Sequence, residues 1–106
     1  MSRHTKIVAT LGPASSTTEV LESLVQAGID VVRMNFSHGT VEDHIARATG
    51  IRAAAAKFGR TVGILGDLQG PKIRVGKFEG GKTTLVPGEK FILDAQCPLG
   101  NQERVG

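Results

Sequence analysis

Residues 29–39 begin apolar, alternate apolar and polar side chains from Val32 to Ser37, and predict a buried β-strand from about Asp30 to Phe36 with a polar carboxyl end. Alternate side chains of a strand share a face. The apolar face is Val32, Met34 and Phe36, and the opposite face is Arg33, Asn35 and Ser37. Because an unpaired guanidinium is costly to bury, we expect an anionic group beside Arg33.

An amphipathic segment before this strand predicts the first helix. Ser16 and Glu19 form an S-x-x-E capping box, so the helix should begin at about Thr17, and Gly28 suits its end. Its expected buried stripe is Val20, Leu21, Leu24 and Val25.

A second helix is predicted after the polar loop that follows the strand. Thr40 is a suitable N-cap with Asp43 three residues on, Gly50 weakens the pattern, and Gly59 ends it. Its expected buried stripe is Val41, Ile45, Ala48, Ala55 and Phe58.

Two more apolar runs predict strands, one over residues 6–11 and one from residue 61 to about residue 66, closed by Asp67. The resulting order β-α-β-α-β has connections long enough for parallel strands with right-handed crossovers. The fold class of residues 1–71 is therefore α/β, with a parallel sheet or a barrel.

The pattern changes after Pro71. Residues 73–78, 83–86 and 91–93 predict three short strands, with turns at 79–81 and 87–89. Helical periodicity is missing here, so residues 72–106 predict the beginning of a second, all-β unit that is incomplete at Gly106.

Composition narrows the classes of function. The chain has 106 residues, a net charge of +3 and 4% aromatic residues, with scattered Lys and Arg and no Trp or Tyr. These features disfavour a nucleic-acid binder. No apolar run approaches the length of a membrane span, and the single Cys97 excludes an internal disulfide. We expect a cytoplasmic protein, and a small anionic substrate fits its mild positive charge equally well.

Polar side chains collect where the predicted strands end. Thr10 ends the first strand, and Asp67 closes the third. Between them in the chain, the second strand ends in Arg33, Asn35 and Ser37. Ligands of parallel α/β proteins bind at the carboxyl ends of the strands, so this pattern predicts an anion site. The alternative is an ion pair between Arg33 and Asp67 that serves the fold alone.

Three further basic residues have two interpretations each. His38 either contacts a nucleotide or phosphate, or is an exposed loop side chain. Lys72 and Arg74 either contact an anion near Asp67 or form a solvated basic turn.

Residues 76–83 match the phosphate-binding pattern G-x-x-x-x-G-K-T letter for letter. Such a loop requires a helix that begins at its lysine, here Lys82. The β-branched residues that follow favour a strand, and Pro87 would interrupt a helix. We therefore reject a phosphate-binding loop at this place.

Three segments together resemble the pyruvate kinase family. They are residues 6–15 (KIVATLGPAS), 33–39 (RMNFSHG) and 66–74 (GDLQGPKIR), in the order and spacing of the family. The resemblance covers nearly the whole chain. It implies the N-terminal part of a bacterial-type enzyme: the first β/α units of a (β/α)8 TIM barrel, then the start of an inserted all-β domain.

The resemblance also implies an activity. The family transfers a phosphoryl group from phosphoenolpyruvate to ADP, giving pyruvate and ATP in glycolysis, with Mg2+ and usually K+, and the full-length enzyme is expected to be a homotetramer. By this resemblance, Arg33 is catalytic and contacts the phosphoryl group, whereas Asn35, His38 and Arg74 match contacts to the nucleotide. The Mg2+ ligands would lie downstream of residue 106, so the chain alone is expected to be inactive.

The chain departs from the family pattern at two positions near the monovalent-cation site. Asn35, Ser37, Asp67 and the main-chain carbonyl of Leu68 match the K+ ligands. Potassium-requiring members have Glu where this chain has Lys72, and Thr where it has Leu68. The Lys72 ammonium is expected to replace K+, so the chain resembles the potassium-independent subgroup.

The alternative function is a non-catalytic phosphate-binding or interaction module derived from the same fold. It predicts a stable folded monomer, whereas a piece of an enzyme predicts exposed strand edges and self-association.

Overall fold

The computed structural model describes residues 3–106. The chain divides into two compact units, Met1–Gly70 and Pro71–Gly106. The predicted functional residues at strand ends all belong to the first unit.

Three parallel strands form the sheet of the first unit. They are β1 (Val8–Leu11), β2 (Val31–Asn35) and β3 (Gly63–Asp67), with β2 in the middle. The register places Thr10 beside Arg33, and Asn35 beside Asp67. The predicted α/β fold with parallel strands is confirmed, although each strand is shorter than the apolar run that predicts it, and the polar residues lie together at the carboxyl edge.

Helix α1 spans Thr18–Ala27 and connects β1 to β2. The predicted capping box is wrong: Thr17 is the N-cap, and its hydroxyl accepts the Val20 N–H at 3.4 Å. Ser16 instead donates to the Gly12 carbonyl at 2.6 Å, within the turn that contains a short 3-10 helix, Pro13–Ser15. Gly28 ends the helix with a φ of 104°, a left-handed conformation that glycine adopts without strain.

Helix α2 spans Val41–Lys57 and connects β2 to β3. Its predicted cap is confirmed, because Thr40 and Asp43 bond each other's main-chain N–H groups. The predicted buried stripe is wrong in its first half, where Val41 and Ile45 are 69% and 60% exposed. Burial begins later, in the second half of the helix, at Ile51, Ala54 and Ala55.

The core of the first unit lies between the two helices and one face of the sheet. It consists of Leu11, Leu21, Val25, Ile29, Val32, Ile51 and Ala54. Val32 and Met34 are buried, while Arg33 and Asn35 on the opposite face of β2 are only partly buried. The predicted alternation of faces is therefore confirmed over residues 32–35, whereas β2 ends at Asn35 and Phe36, predicted on the apolar face, is exposed. Packing of Val32 into the core leaves Arg33 and Asn35 accessible on the opposite face of β2.

The second unit has less regular structure than the sequence predicts. Its strands are β4 (Ile92–Leu93) and β5 (Arg104–Val105), which pair in parallel, and a 3-10 turn covers Glu79–Gly81. The predicted strands at 73–78 and 83–86 are wrong. A strand needs a partner for its main-chain groups, and within residues 71–106 these segments have no ladder beyond one isolated bridge from Phe78 to Gly100. Rejection of the phosphate-binding loop is confirmed, since Lys82 is extended, with φ −156° and ψ 162°.

Candidate functional site

The side chain of Arg33 lies at the carboxyl edge of the sheet between Asp67 and Thr10. Its Nε and NH2 groups donate to Asp67 Oδ2 at 2.9 Å and 2.5 Å, and NH1 donates to Thr10 Oγ1 at 3.3 Å. The expected anionic neighbour of Arg33 is therefore Asp67. One residue from each of the three strands contributes to this cluster, which we call the Arg33 cluster.

The ion pair in this cluster is too exposed to contribute much to folding. The Arg33 and Asp67 side chains retain 33% and 45% of their exposure. Exposed ion pairs contribute only about 0–1 kcal/mol to stability. The main effect of the cluster is to orient the Arg33 side chain, because three hydrogen bonds fix the plane of its guanidinium. The other N–H donors of this guanidinium make none of the hydrogen bonds described for residues 3–106. An ordered, partly exposed guanidinium with remaining donors suits a phosphoryl group.

The loop after β2 is held by its own main-chain and side-chain hydrogen bonds. Asn35 Oδ1 accepts the Ser37 N–H at 3.0 Å, and the Asn35 carbonyl accepts the His38 N–H at 3.2 Å. The Phe36 N–H donates to the Asp67 carbonyl at 3.0 Å, which ties the loop to β3. Asn35 and Ser37 are partly buried beside this bond, while the side chain of His38 is exposed.

A cavity of about 310 Å³ adjoins the Arg33 cluster. Thr10 belongs to both, because it accepts from Arg33 and lines the cavity. The other lining residues come from the ends of β1 and β2, from the loops that follow them and from the first half of α2: Leu11, Gly12, Pro13, Asn35, His38, Gly39, Asp43 and Arg47. Arg47 Nε donates to Ser16 Oγ at 3.1 Å, which joins α2 to the turn before α1.

Sequence reasoning missed the contribution of α2 to this cavity. Asp43 was identified only as a helix cap, and Arg47 not at all. Their spacing of four residues, which puts two side chains on one helix face, was the available signal. It did not show which neighbour that face would meet.

Hydrogen bonding at the helix start stabilises the ionised form of Asp43. The main-chain N–H of Thr40 donates to the Asp43 carboxylate and, with the Thr40 hydroxyl and the nearby Arg47 and His44, lowers the pKa of Asp43 below its ordinary value. This wall of the cavity therefore carries a carboxylate at neutral pH.

The residues predicted for a monovalent cation lie in the same region of the first unit. Asn35 and Asp67 are register partners, Ser37 follows Asn35 by two residues, and Leu68 directly follows β3 with 79% exposure. All four offer oxygen atoms, the donors that a hard cation requires. In residues 3–106, no group of three or more His, Cys, Asp or Glu side chains is placed to hold a metal ion.

Lys72 and Arg74 belong to the second unit, in the irregular segment that follows Pro71, and both are exposed. Their roles toward an anion stay predictions. Across the described residues 3–106, no helix is long and apolar enough to cross a lipid bilayer.

Comparisons with known proteins point to one family. Residues 2–105 match the family model described as "Pyruvate kinase, barrel domain". The chain is 58% identical over 106 residues to the pyruvate kinase of Haemophilus influenzae and to pyruvate kinase II of Salmonella typhimurium, covering 98% of this chain and 22% of each relative. A crystal structure of Cryptosporidium parvum pyruvate kinase matches 95% of this chain and 21% of its own, with a TM-score of 0.77 and 40% identity.

The chain thus spans about a fifth of the length of the curated relatives that it matches. The match runs through all three segments that carry the resemblance, because it extends over nearly every residue. The chain belongs to the pyruvate kinase family.

Proposed function

We propose that this chain is part of a pyruvate kinase, which transfers the phosphoryl group of phosphoenolpyruvate to ADP and yields pyruvate and ATP. One observation carries the proposal: in a member of this family, Arg33 is fixed by Asp67 and Thr10 at the carboxyl edge of a parallel sheet. Ligands of such sheets bind at that edge.

The three strands and two helices of the first unit would be the first β/α units of a (β/α)8 barrel. A complete barrel takes about 250 residues, so most of it would lie outside this chain. Residues 72–106 would begin the inserted β domain. The parallel order β1-β2-β3 supports the barrel assignment, and the change of character at Pro71 supports the boundary.

Arg33 is the residue that we assign to the reaction. Phosphoryl transfer breaks the bond between phosphorus and the enol oxygen of phosphoenolpyruvate and forms a bond to the terminal phosphate oxygen of ADP. Charge on the transferring oxygens must be stabilised by groups already in place. The free donors of Arg33 would serve these oxygens, and Asp67 would prevent the guanidinium from rotating.

The cavity beside Arg33 is the proposed nucleotide side. Asn35 and His38 line it, and Arg74 of the second unit is the third residue assigned to the nucleotide. A cavity lined by loop main chain and a few polar groups suits a nucleoside diphosphate.

Two cations belong to the proposal. Mg2+, when bound, supplies charge neutralisation on the phosphate oxygens, and its ligands would lie outside this chain. The monovalent-cation ligands would be Asn35, Ser37, Asp67 and the Leu68 carbonyl, with Lys72 supplying the positive charge in place of K+.

The whole protein would be a cytoplasmic homotetramer, and this chain alone would be inactive.

A chimeric enzyme tests the proposal. It is the Haemophilus influenzae pyruvate kinase in which the segment that matches this chain is replaced by residues 1–106. We expect this chimera to form pyruvate from phosphoenolpyruvate and ADP. Arg33→Ala should reduce kcat/KM by roughly a hundredfold, as for loss of one oriented donor.

The matched control is Arg52→Ala, because Arg52 is exposed on α2 and lies outside the cavity. It should leave kcat/KM close to that of the unsubstituted chimera. An inactive chimera, or equal effects of the two substitutions, would refute the proposal. An inactive chimera that still bound phosphoenolpyruvate or ADP would favour the non-catalytic module.

A further inference from the structure

His44 in the first turns of α2 is attached to the loop that carries His38. Its Nε2 atom lies 2.7 Å from the main-chain carbonyl oxygen of His38. A carbonyl oxygen only accepts, so Nε2 carries the proton and donates. The neutral ring therefore has no proton on Nδ1.

The other ring nitrogen shows that one edge of the His44 ring is shielded from solvent. His44 Nδ1 is shielded from solvent and has no hydrogen-bond partner among residues 3–106. An enclosed polar atom without a partner is uncommon in folded proteins. Within residues 3–106, Nδ1 therefore adds no hydrogen bond to the one that Nε2 makes with His38, and the rest of the ring is held by packing.

Phe36 supplies that packing. The rings of Phe36 and His44 meet edge to face, with centroids 4.8 Å apart and an interplanar angle of 87°, a geometry that aromatic pairs favour. Phe36 in turn lies against Gly66 of β3, where an added Cβ would stand 2.8 Å from Phe36 Cε2. A continuous contact thus runs from β3 through Phe36 to His44.

The same loop leaves little space for another arrangement. Gly39 has a φ of 84°, and a Cβ added there would lie 3.3 Å from His44 Nε2. The loop therefore approaches the His44 ring closely at its Nε2 edge, through both His38 and Gly39. Both of these residues line the cavity, whereas His44 and Phe36 do not.

We propose that His44 is a positioning residue for the nucleotide side of the site. By holding the His38 carbonyl against α2, it fixes the wall formed by Asn35, His38 and Gly39. The inference rests on the proposed function, since it assigns that wall to the nucleoside diphosphate. It predicts that His44 affects binding of ADP and leaves phosphoenolpyruvate, on the Arg33 side, largely unaffected.

The test uses the chimera and two substitutions of His44. His44→Phe keeps a ring against Phe36 and removes the donor, whereas His44→Gln places an amide donor at about the reach of Nε2. We expect His44→Phe to raise KM for ADP roughly three- to tenfold, the range for one lost hydrogen bond. KM for phosphoenolpyruvate and kcat should change less than about twofold, and His44→Gln should recover most of the ADP affinity.

The control is His4→Phe, because His4 is exposed and does not line the cavity. Phe36→Leu provides a second route if His44→Phe fails to fold, and should raise KM for ADP in the same direction. An unchanged KM for ADP in the folded variants, or equal rises for both substrates, overturns the inference. An inactive unsubstituted chimera instead overturns the proposed function, so the two failures are distinguishable.

Discussion

Among single residues, position 33 depends most specifically on the chemistry of its side chain, because its hydrogen bonds require a guanidinium. Its Nε and NH2 groups meet one carboxylate oxygen while NH1 meets a hydroxyl on another strand. An ammonium is a point charge and lacks this fork. It can bind Asp67 or reach an incoming phosphoryl group, but it does not hold one geometry for both.

We therefore predict that Arg33→Lys in the chimera is nearly as damaging as Arg33→Ala, although it conserves the charge. The alanine variant should lose about 3 kcal/mol of transition-state stabilisation, and the lysine variant should recover only a minor part. Steady-state kcat/KM values of both variants measure this. Activity of Arg33→Lys close to that of the unsubstituted chimera would show that charge alone suffices.

Lys72 carries the prediction about cation dependence. If its ammonium replaces K+, the chimera should be active in buffer whose only monovalent cation is Na+ or protonated Tris. Lys72→Glu removes this charge and restores a carboxylate for a cation, so its activity should depend on added K+. Rates with and without K+ measure the effect. Loss of activity of the unsubstituted chimera without K+, restored by K+, would contradict the prediction.

At the scale of elements, the contact between α1 and α2 explains why α2 tolerates a central glycine. A Cβ at Gly50 would lie 2.7 Å from Cδ1 of Leu21, whose side chain is buried. Gly50 costs the helix about 1 kcal/mol in propensity. Forcing an extra carbon into a packed core costs about 1–3 kcal/mol, which matches or exceeds that cost.

Gly50→Ala is therefore expected to destabilise the chain by about 1 kcal/mol, since overpacking costs about 1–3 kcal/mol and helix propensity returns only part. Urea unfolding followed by circular dichroism measures the change. In a Leu21→Ala background the clash is absent, so the same substitution should stabilise. Destabilisation of equal size in both backgrounds would assign the effect to something other than Leu21.

The start of α2 gives a pH-dependent prediction. The pKa of Asp43 is lower in the folded state than in the unfolded state. As pH falls through these two values, the folded state therefore binds fewer protons than the unfolded state. The ionised Asp43 side chain therefore stabilises the fold above its ordinary pKa of 3.8, and this stabilisation is lost as pH falls through the lowered pKa of the folded state. Asp43→Asn keeps a side-chain oxygen as acceptor but does not titrate.

Acidification should therefore destabilise the unsubstituted chain more steeply than the Asp43→Asn variant. Thermal midpoints measured across this range give the comparison. The lowered pKa of Asp30, caused mainly by the Ile7 N–H and aided by Arg3, contributes to both proteins and cancels. Identical acid profiles of the two proteins would contradict the role of Asp43.

For the whole molecule, the sequence predicted the elements that depend on neighbouring residues. It did not predict structure that depends on pairing between segments far apart in the chain. The β-α-β-α-β order follows from neighbouring segments, and strand ends located Arg33 and Asp67. The prediction for the second unit was wrong because a strand over residues 73–78 would need a partner strand. Ile73 in this segment is instead fully exposed. The strand predicted over residues 91–93 is present as β4, whereas the pattern indicated neither β5 nor its pairing with β4, which joins residue 92 to residue 104.

Exposed strand edges give the prediction at this scale. Within the described residues, β1 and β3 each have one neighbour, so each leaves one row of main-chain groups unpaired. Val8 and Leu65 add apolar surface on these strands, with 56% and 45% exposure. Such edges pair with other chains unless they are covered or charged.

We predict that the 106-residue chain self-associates as its concentration rises, because two apolar strand edges are available for pairing between copies. Sedimentation velocity over a range of concentrations measures this. Val8→Lys and Leu65→Lys each charge one edge, and the double variant should associate least. The matched control Ile45→Lys, on an exposed face of α2, should change association little. A chain that stayed monomeric throughout would instead favour the stable, non-catalytic module, since the edges would then be tolerated without a covering partner.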